Sequence, residues 1–210
     1  RALGGSVFGV RALLLSGGMD SSALAFLASP NLAIAINYGQ LGAEAELESA
    51  ERIAVHVGVR LEVVRLDARL LGGGVMAAQA PLADAPCPEW WPYRNQFLIT
   101  IAAMRGYPLG VRELMFGAVV SDGEAHADGR TEFFERLSGV TALQEGGMVL
   151  STPAIAMTTT ELVRRSGIPI DLLVATHSCH TGDRACGQCR GCWKREKVLY
   201  ELGLIKDWAR

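Results

Sequence analysis

Two groups of residues in this sequence have types and spacings suited to chemistry. The first is the run SGGMDSS at 16–22, set between the apolar segment RALLL at 11–15 and a second apolar segment, ALAFLA. Gly17 and Gly18 carry no Cβ, so the backbone there can approach a phosphate closely. Unpaired N–H groups at the start of a following helix, near Ser21 and Ser22, would hold an anion with help from the helix dipole. Ser16, Ser21 and Ser22 add hydroxyl donors. Asp20 is out of place beside a phosphate unless Mg²⁺ lies between them. The run is not the GxxxxGK[ST] loop, nor does it have the dinucleotide-fingerprint spacing. The sequence holds only three lysines, Lys194, Lys197 and Lys206, all near its end. A phosphate site in the body of the chain is therefore expected to use backbone N–H groups, arginine or a metal ion.

The second group is Cys179, Cys186, Cys189 and Cys192, four of five cysteines, in the pattern CxxxxxxCxxCxxC. Two overlapping CxxC steps make a tight turn that presents three thiolates to one ion, and Cys179 closes the tetrahedron. Gly187 and Gly191 permit the turns, as in a zinc knuckle. Four thiolates leave no open coordination position, which predicts structural zinc that fixes a weakly packed segment. An iron–sulfur cluster and redox thiols are the rivals. His177 and His180 flank Cys179 and read as polar loop residues rather than spare ligands.

The elements that must position these groups alternate. Strands are expected at 11–15, 32–38, 61–66, 113–120 and 148–153, and helices after the glycine run and at 42–57, 95–106, 131–143, 158–167 and 190–202. Thr158 or Thr159 caps the helix at 158–167, and Gly167 stops it. This order predicts a doubly wound parallel α/β sheet with helices on both faces. The alternation weakens near 145, which divides the chain into a nucleotide-binding domain at 1–145 and a small helical zinc-binding subdomain at 146–210. A proline- and glycine-rich loop at 71–93 is long enough to be a lid.

With 210 residues, half of them hydrophobic and a fifth charged, the chain can bury a core without disulfides. It has no apolar stretch long enough to span a membrane, and a net charge of −2 argues against a nucleic-acid partner. No signal peptide is legible in a sequence that opens on Arg1, and the expected location is the cytoplasm.

SGGxDS resembles the pyrophosphate-loop (PP-loop) motif of the ATP pyrophosphatases, which cleave ATP between the α and β phosphates. Joined to NYGQ (37–40), RNQFLI (94–99) and THSCH…CGQCRGCWKR (176–195), it resembles the 7-cyano-7-deazaguanine synthase family along nearly the whole chain. The resemblance implies adenylation of a deazapurine carboxylate by ATP with Mg²⁺, attack by ammonia to give the amide, and a second activation to the nitrile. It places Ser16, Gly17, Gly18, Asp20, Ser21 and Ser22 on the phosphates, and Tyr38, Gly39 and Gln40 beside the nucleotide. Arg94 and Asn95 then face the pyrophosphate or the activated carboxylate, with Asp20, Arg94 and Asn95 as the catalytic set. The resemblance also suggests a homodimer.

The sequence departs from the family between 117 and 133. Asp122, Asp128, Arg130, Glu132 and Phe133 match, and the first three are expected at the substrate. The family's asparagine is Val119, its YSGYP block is GEAHA, its cysteine is Gly129, and a lysine further on is Thr159. Those positions read the deazaguanine base in the family, so base recognition must differ here or come from elsewhere. Some relatives, from antiphage gene clusters, pass the activated base to another amine, which would imply a protein partner. A tRNA-modifying enzyme and a non-catalytic nucleotide-binding subunit are further alternatives. Trp90, Trp91 and Tyr93 either stack on a purine or pack the loop, Cys87 reads as an incidental thiol, and His56 as a structural residue.

Overall fold

A computed structural model of the chain describes residues 9–208. Five strands form one all-parallel sheet in the order β3-β2-β1-β4-β5, namely β1 Val10–Leu14, β2 Leu32–Asn37, β3 Arg60–Arg65, β4 Val111–Met115 and β5 Val149–Ser151. β1 and β2 are nearly continuous apolar runs because helices cover both faces. One face carries a core of Leu13, Leu24, Ala50, Ile53, Leu162 and Val198. The other packs Leu14, Ile34, Ile99, Leu114 and Phe134. The doubly wound expectation holds.

The helices are α1 Met19–Ala28, α2 Ala43–Val57, α3 Arg94–Gly106, α4 Val120–Ala125, α5 Thr131–Ala142, α6 Thr159–Ser166, α7 Ile170–Val174 and α8 Arg190–Glu201. The Thr158 hydroxyl accepts the N–H of Glu161, and Gly167 ends α6 with a left-handed backbone, both as the residue types require. The expected strand at 113–120 is shorter in the fold. It leaves the sheet after Met115, and Asp122 accepts the N–H of Val119 at 3.1 Å to start α4. That side-chain bond favours a helix start over a continued strand. The helix α7 was not foreseen; it begins directly after Pro169.

The long loop at 71–93 is pinned rather than free. Val75 N–H bonds Pro88 O at 2.9 Å, Leu41 N–H bonds Met76 O at 2.8 Å, and Met76, Ala77 and Trp91 are buried in the core. Residues after 145 share the main scaffold. β5 pairs with β4, while Leu162 and Val163 of α6 and Val198 and Leu199 of α8 join the core cluster that also holds Leu24 of α1.

Candidate active site and metal centre

The strand order reverses between β1 and β4, and in open parallel sheets the crevice at the carboxyl ends beside such a reversal is where ligands bind. A cleft of about 270 Å³ opens there. Its wall includes Leu14, Ser16, Gly18, Asp20 and Ser21 after β1, and Phe116 and Gly117 after β4.

The glycine run is shaped before any ligand arrives. Gly17 has φ +77°, and a Cβ there would lie 2.2 Å from Glu46 O, so only glycine fits. The Gly17 carbonyl is tied to α2 by Ser49 Oγ at 2.8 Å and to the segment before the cysteines by His177 N–H at 3.0 Å. Ser16 N–H donates to Ser21 Oγ at 3.2 Å, and the two hydroxyls lie 3.0 Å apart. The first helical bond of α1 runs from Ser22 N–H to Gly18 O at 3.0 Å. The N–H groups of Met19, Asp20 and Ser21 precede that bond and have no intrahelical acceptor. Ser22 points elsewhere: it is fully buried, its hydroxyl has no partner, and it is not on the cleft wall.

Asp20 shows where sequence reasoning fell short. Thr159 Oγ1 donates to Asp20 Oδ1 at 2.6 Å, and Lys194 Nζ donates to Asp20 Oδ2 at 2.9 Å and to Asp122 Oδ1 at 3.1 Å. The expectation that no lysine reaches the glycine run is therefore corrected. α8 folds back over the loop and carries Lys194 into the cleft. Burial opposes its positive charge, but Asp20 and Asp122 outweigh burial and hold its pKa above the usual lysine value. The sequence offered one signal, a lysine two residues after Cys192, but nothing in the spacing said that α8 turns toward residue 20.

The other expected residues divide. Tyr38 lines the cleft and packs edge-on against Trp91, with ring centroids 4.9 Å apart. Burial pushes its phenol pKa well up, although the nearby Arg94 works against the shift. Gly39 and Gln40 are not on the cleft wall. Gln40 accepts Tyr38 N–H at 2.9 Å and donates to Glu46 Oε2 at 2.8 Å, setting Glu46 on the wall. Burial pushes Glu46 up to about 7. Arg94 opens α3 and lines the cleft, with Nη1 3.0 Å from Met76 Sδ. Burial opposes its charge too, but Tyr38, Asp128, Glu46 and Asp122 favour it.

Asn95 lines the cleft, and its Nδ2 donates to Asp128 O at 3.0 Å. Of the three residues expected at the substrate, only Asp122 lines the cleft. Asp128 Oδ2 accepts Asn95 N–H at 3.4 Å, where it complements the start of α3, and exposed Arg130 bonds Gly123 O at 3.2 Å. Trp91 is buried in the core and Tyr93 is 77% exposed; packing accounts for the first, and neither lines the cleft. Glu89, His126, His180 and Arg190 also line the cleft, and sequence reasoning assigned none of them a place there.

The four cysteines converge, with all sulfurs within 4.8 Å of one another. Cys186 Sγ and Cys192 Sγ lie 4.0 Å apart, as do Cys189 Sγ and Cys179 Sγ. Zinc–sulfur bonds of about 2.3 Å in a tetrahedron require sulfurs about 3.8 Å apart, so the set fits one metal ion. Backbone N–H groups of Gln188 and Cys189 point at Cys186 Sγ at 3.4 and 3.3 Å, and those of His180 and Cys192 at Cys189 Sγ at 3.3 and 3.4 Å. Such donors stabilise thiolates, the form a metal needs. A Cβ at Gly191 would lie 1.8 Å from Ser178 O, so the turn closes only on glycine. Neither His177 nor His180 belongs to the set. Cys87 Sγ lies 3.9 Å from His126 Nε2, and burial, reinforced by Glu89, pushes its thiol up, away from a reactive thiolate.

Known proteins resemble this chain along most of its length. A family model described as "Queuosine biosynthesis protein QueC" matches residues 11–203. The 7-cyano-7-deazaguanine synthase of Chlorobaculum tepidum is 32% identical, over 91% of this chain and 92% of that protein. The enzyme of the same name from Chlorobium luteolum is 34% identical over 93% of each chain. A third, from Methanothermobacter thermautotrophicus, is 32% identical over 92% of this chain and 95% of its own. A solved structure of NMN synthetase from Francisella tularensis aligns with a TM-score of 0.49 at 15% identity, over 96% of this chain and 79% of that one. With a family match over residues 11–203 and relatives above 30% identity over more than nine-tenths of its length, the chain belongs to the QueC family.

Proposed function

We propose that the chain uses ATP to activate the carboxylate of a 7-deazaguanine acid and passes the acyl group to ammonia, giving an amide and then the nitrile. A carboxylate is a poor electrophile, and adenylation gives it a good leaving group. A carboxylate oxygen attacks the α-phosphorus, the bond to pyrophosphate breaks, and an acyl adenylate forms. The amine adds at the carbonyl carbon, loses a proton and expels AMP. A second ATP activates the amide oxygen in the same way, and loss of AMP and the remaining nitrogen-bound protons leaves the nitrile.

One observation carries this reading. The unspent N–H groups of Met19, Asp20 and Ser21 sit at the head of α1, at the point where the strand order reverses, facing the cleft. They would hold the phosphate oxygens together with the Ser16 and Ser21 hydroxyls. Arg94 and Lys194, on the same cleft, would offset charge as it develops on pyrophosphate. Asp20 and Asp122 suit a divalent cation because their oxygens already converge on one positive charge, the Lys194 ammonium; Mg²⁺ would compete with it for them. The closed four-thiolate set suits structural zinc, which supplies rigidity rather than chemistry. Bound there, zinc would brace residues 176–195 against Gly17.

The test is direct. Purified chain is incubated with ATP, Mg²⁺, 7-carboxy-7-deazaguanine and ammonium, and the products are read by mass spectrometry. AMP and pyrophosphate with the amide or nitrile are expected. Zinc-loaded, folded protein that releases no AMP would refute the reading.

A further inference from the structure

One wall of the cleft carries polar groups that the scheme above does not use. Glu89 lies in the pinned loop, with its neighbours held by Val75 N–H to Pro88 O at 2.9 Å and Trp90 N–H to Cys87 O at 3.1 Å. The residue is only 8% exposed, it lines the cleft, and its Oε1 has no hydrogen-bond partner. His180 Nδ1, on the same wall, is likewise buried without a partner. The two atoms face each other at 4.0 Å, beyond hydrogen-bond reach. Leaving a buried carboxylate oxygen unpaired is costly, and two such atoms side by side in a binding cleft indicate ligand groups that complete them. Arg190 Nη1 and His126 Nε2, 3.3 Å apart, also line the cleft.

We propose that Glu89 and His180 form the subsite that reads the pyrimidinone edge of the deazaguanine ring. The inference rests on the reading under "Proposed function" and names the groups that recognise its substrate. A guanine-type ring presents two donors along one edge, N1–H and the 2-amino group, next to a carbonyl acceptor. A carboxylate accepts both donors in parallel, as it accepts an arginine fork. A ring N–H of His180, a few ångströms along the wall, donates to the carbonyl. This donor–acceptor pair stands in for base-reading positions that residues 119–129 have lost.

The test compares 7-carboxy-7-deazaguanine with two analogues, one lacking the 2-amino group and one methylated at N1, using ATP-dependent AMP release by wild-type chain and by Glu89→Gln. Wild type is expected to prefer the parent acid over either analogue by at least about 100-fold in kcat/KM, because each analogue leaves a carboxylate oxygen unpaired. In Glu89→Gln, activity on the parent acid should fall at least about tenfold and the preference over the 2-deamino analogue should collapse toward unity, with KM for ATP unchanged. The wild-type comparison needs no variant, so a Glu89→Gln chain that fails to fold leaves the proposal testable. Wild type that uses all three acids alike overturns the subsite while leaving the activating function intact. So does a Glu89→Gln enzyme that keeps its base preference and instead shows a raised KM for ammonium, which would make Glu89 an amine-docking group. Wild type that releases no AMP with any of the acids overturns both readings.

Discussion

Replacing Lys194 by Met tests whether α8 completes the cleft. In the native fold Asp20 Oδ2 and Asp122 Oδ1 lie 2.9 and 3.1 Å from the same Nζ, so the two oxygens are no more than about 6 Å apart. Without the ammonium, two unit charges at that separation repel by about 3 kcal/mol at an effective dielectric constant near 20. The Lys194 side chain is 31% exposed, so admitted water screens part of this, and an expected loss of about 2 kcal/mol in unfolding free energy remains. Adding Asp122→Asn removes one of the two charges. The double variant should recover about 1 kcal/mol or more relative to the sum of the single changes. Urea unfolding of zinc-loaded protein, followed by circular dichroism, measures each corner of the cycle. A Lys194→Met chain within about 0.5 kcal/mol of wild type, or a cycle with no coupling, would show that Lys194 does not bridge the two carboxylates.

Glu46 gives a pH signature. Its pKa, raised by burial to about 7, sits above that of the unfolded chain, so the protonated side chain is tolerated at low pH and ionisation costs stability as pH rises through about 7. Between pH 5 and pH 8, wild type should lose about 2 kcal/mol relative to Glu46→Gln in parallel urea titrations; a pH-independent difference would contradict the assignment. Cys186→Ser should abolish zinc retention, measured by atomic absorption, and weaken Mg²⁺–nucleotide binding, because His177 N–H ties the cysteine segment to Gly17 O. Metal-free variant that still binds nucleotide with wild-type affinity would separate the two sites. Leu162→Ala, at a fully buried position of α6, should cost about 2–5 kcal/mol in a single cooperative transition. A separate early transition would mean that the segment after 145 folds on its own.

Much of the fold was legible because its determinants are local. Apolar runs at 11–15 and 32–38 can only be buried strands, and Thr158 with Glu161, then Gly167, mark the ends of α6 at both caps. The cysteine spacing likewise carries its own geometry. The extent of β4 was not legible, since residues 114–120 carry no polar side chain and the Asp122 side chain that bonds back to Val119 N–H to start α4 lies beyond them. The site was half legible for the same kind of reason. Ser16, Asp20 and Ser21 are placed by the turn in which they occur. Lys194 and Thr159 reach Asp20 across 174 and 139 residues, contacts set by how α8 and α6 pack on α1, which no local pattern encodes. Glu89 was missed because one glutamate in a proline-rich loop looks like solvent-facing polarity until burial removes the solvent.

The route of the carboxylate oxygen is the most direct measurement. With 7-carboxy-7-deazaguanine labelled with ¹⁸O in the carboxylate, attack at the α-phosphorus of ATP must leave ¹⁸O in the released AMP and none in pyrophosphate. Mass spectrometry of the nucleotide products should therefore find labelled AMP formed in step with amide or nitrile. Label in inorganic phosphate, or unlabelled AMP alongside product, would mean that the cleft after β1 does not adenylate the acid.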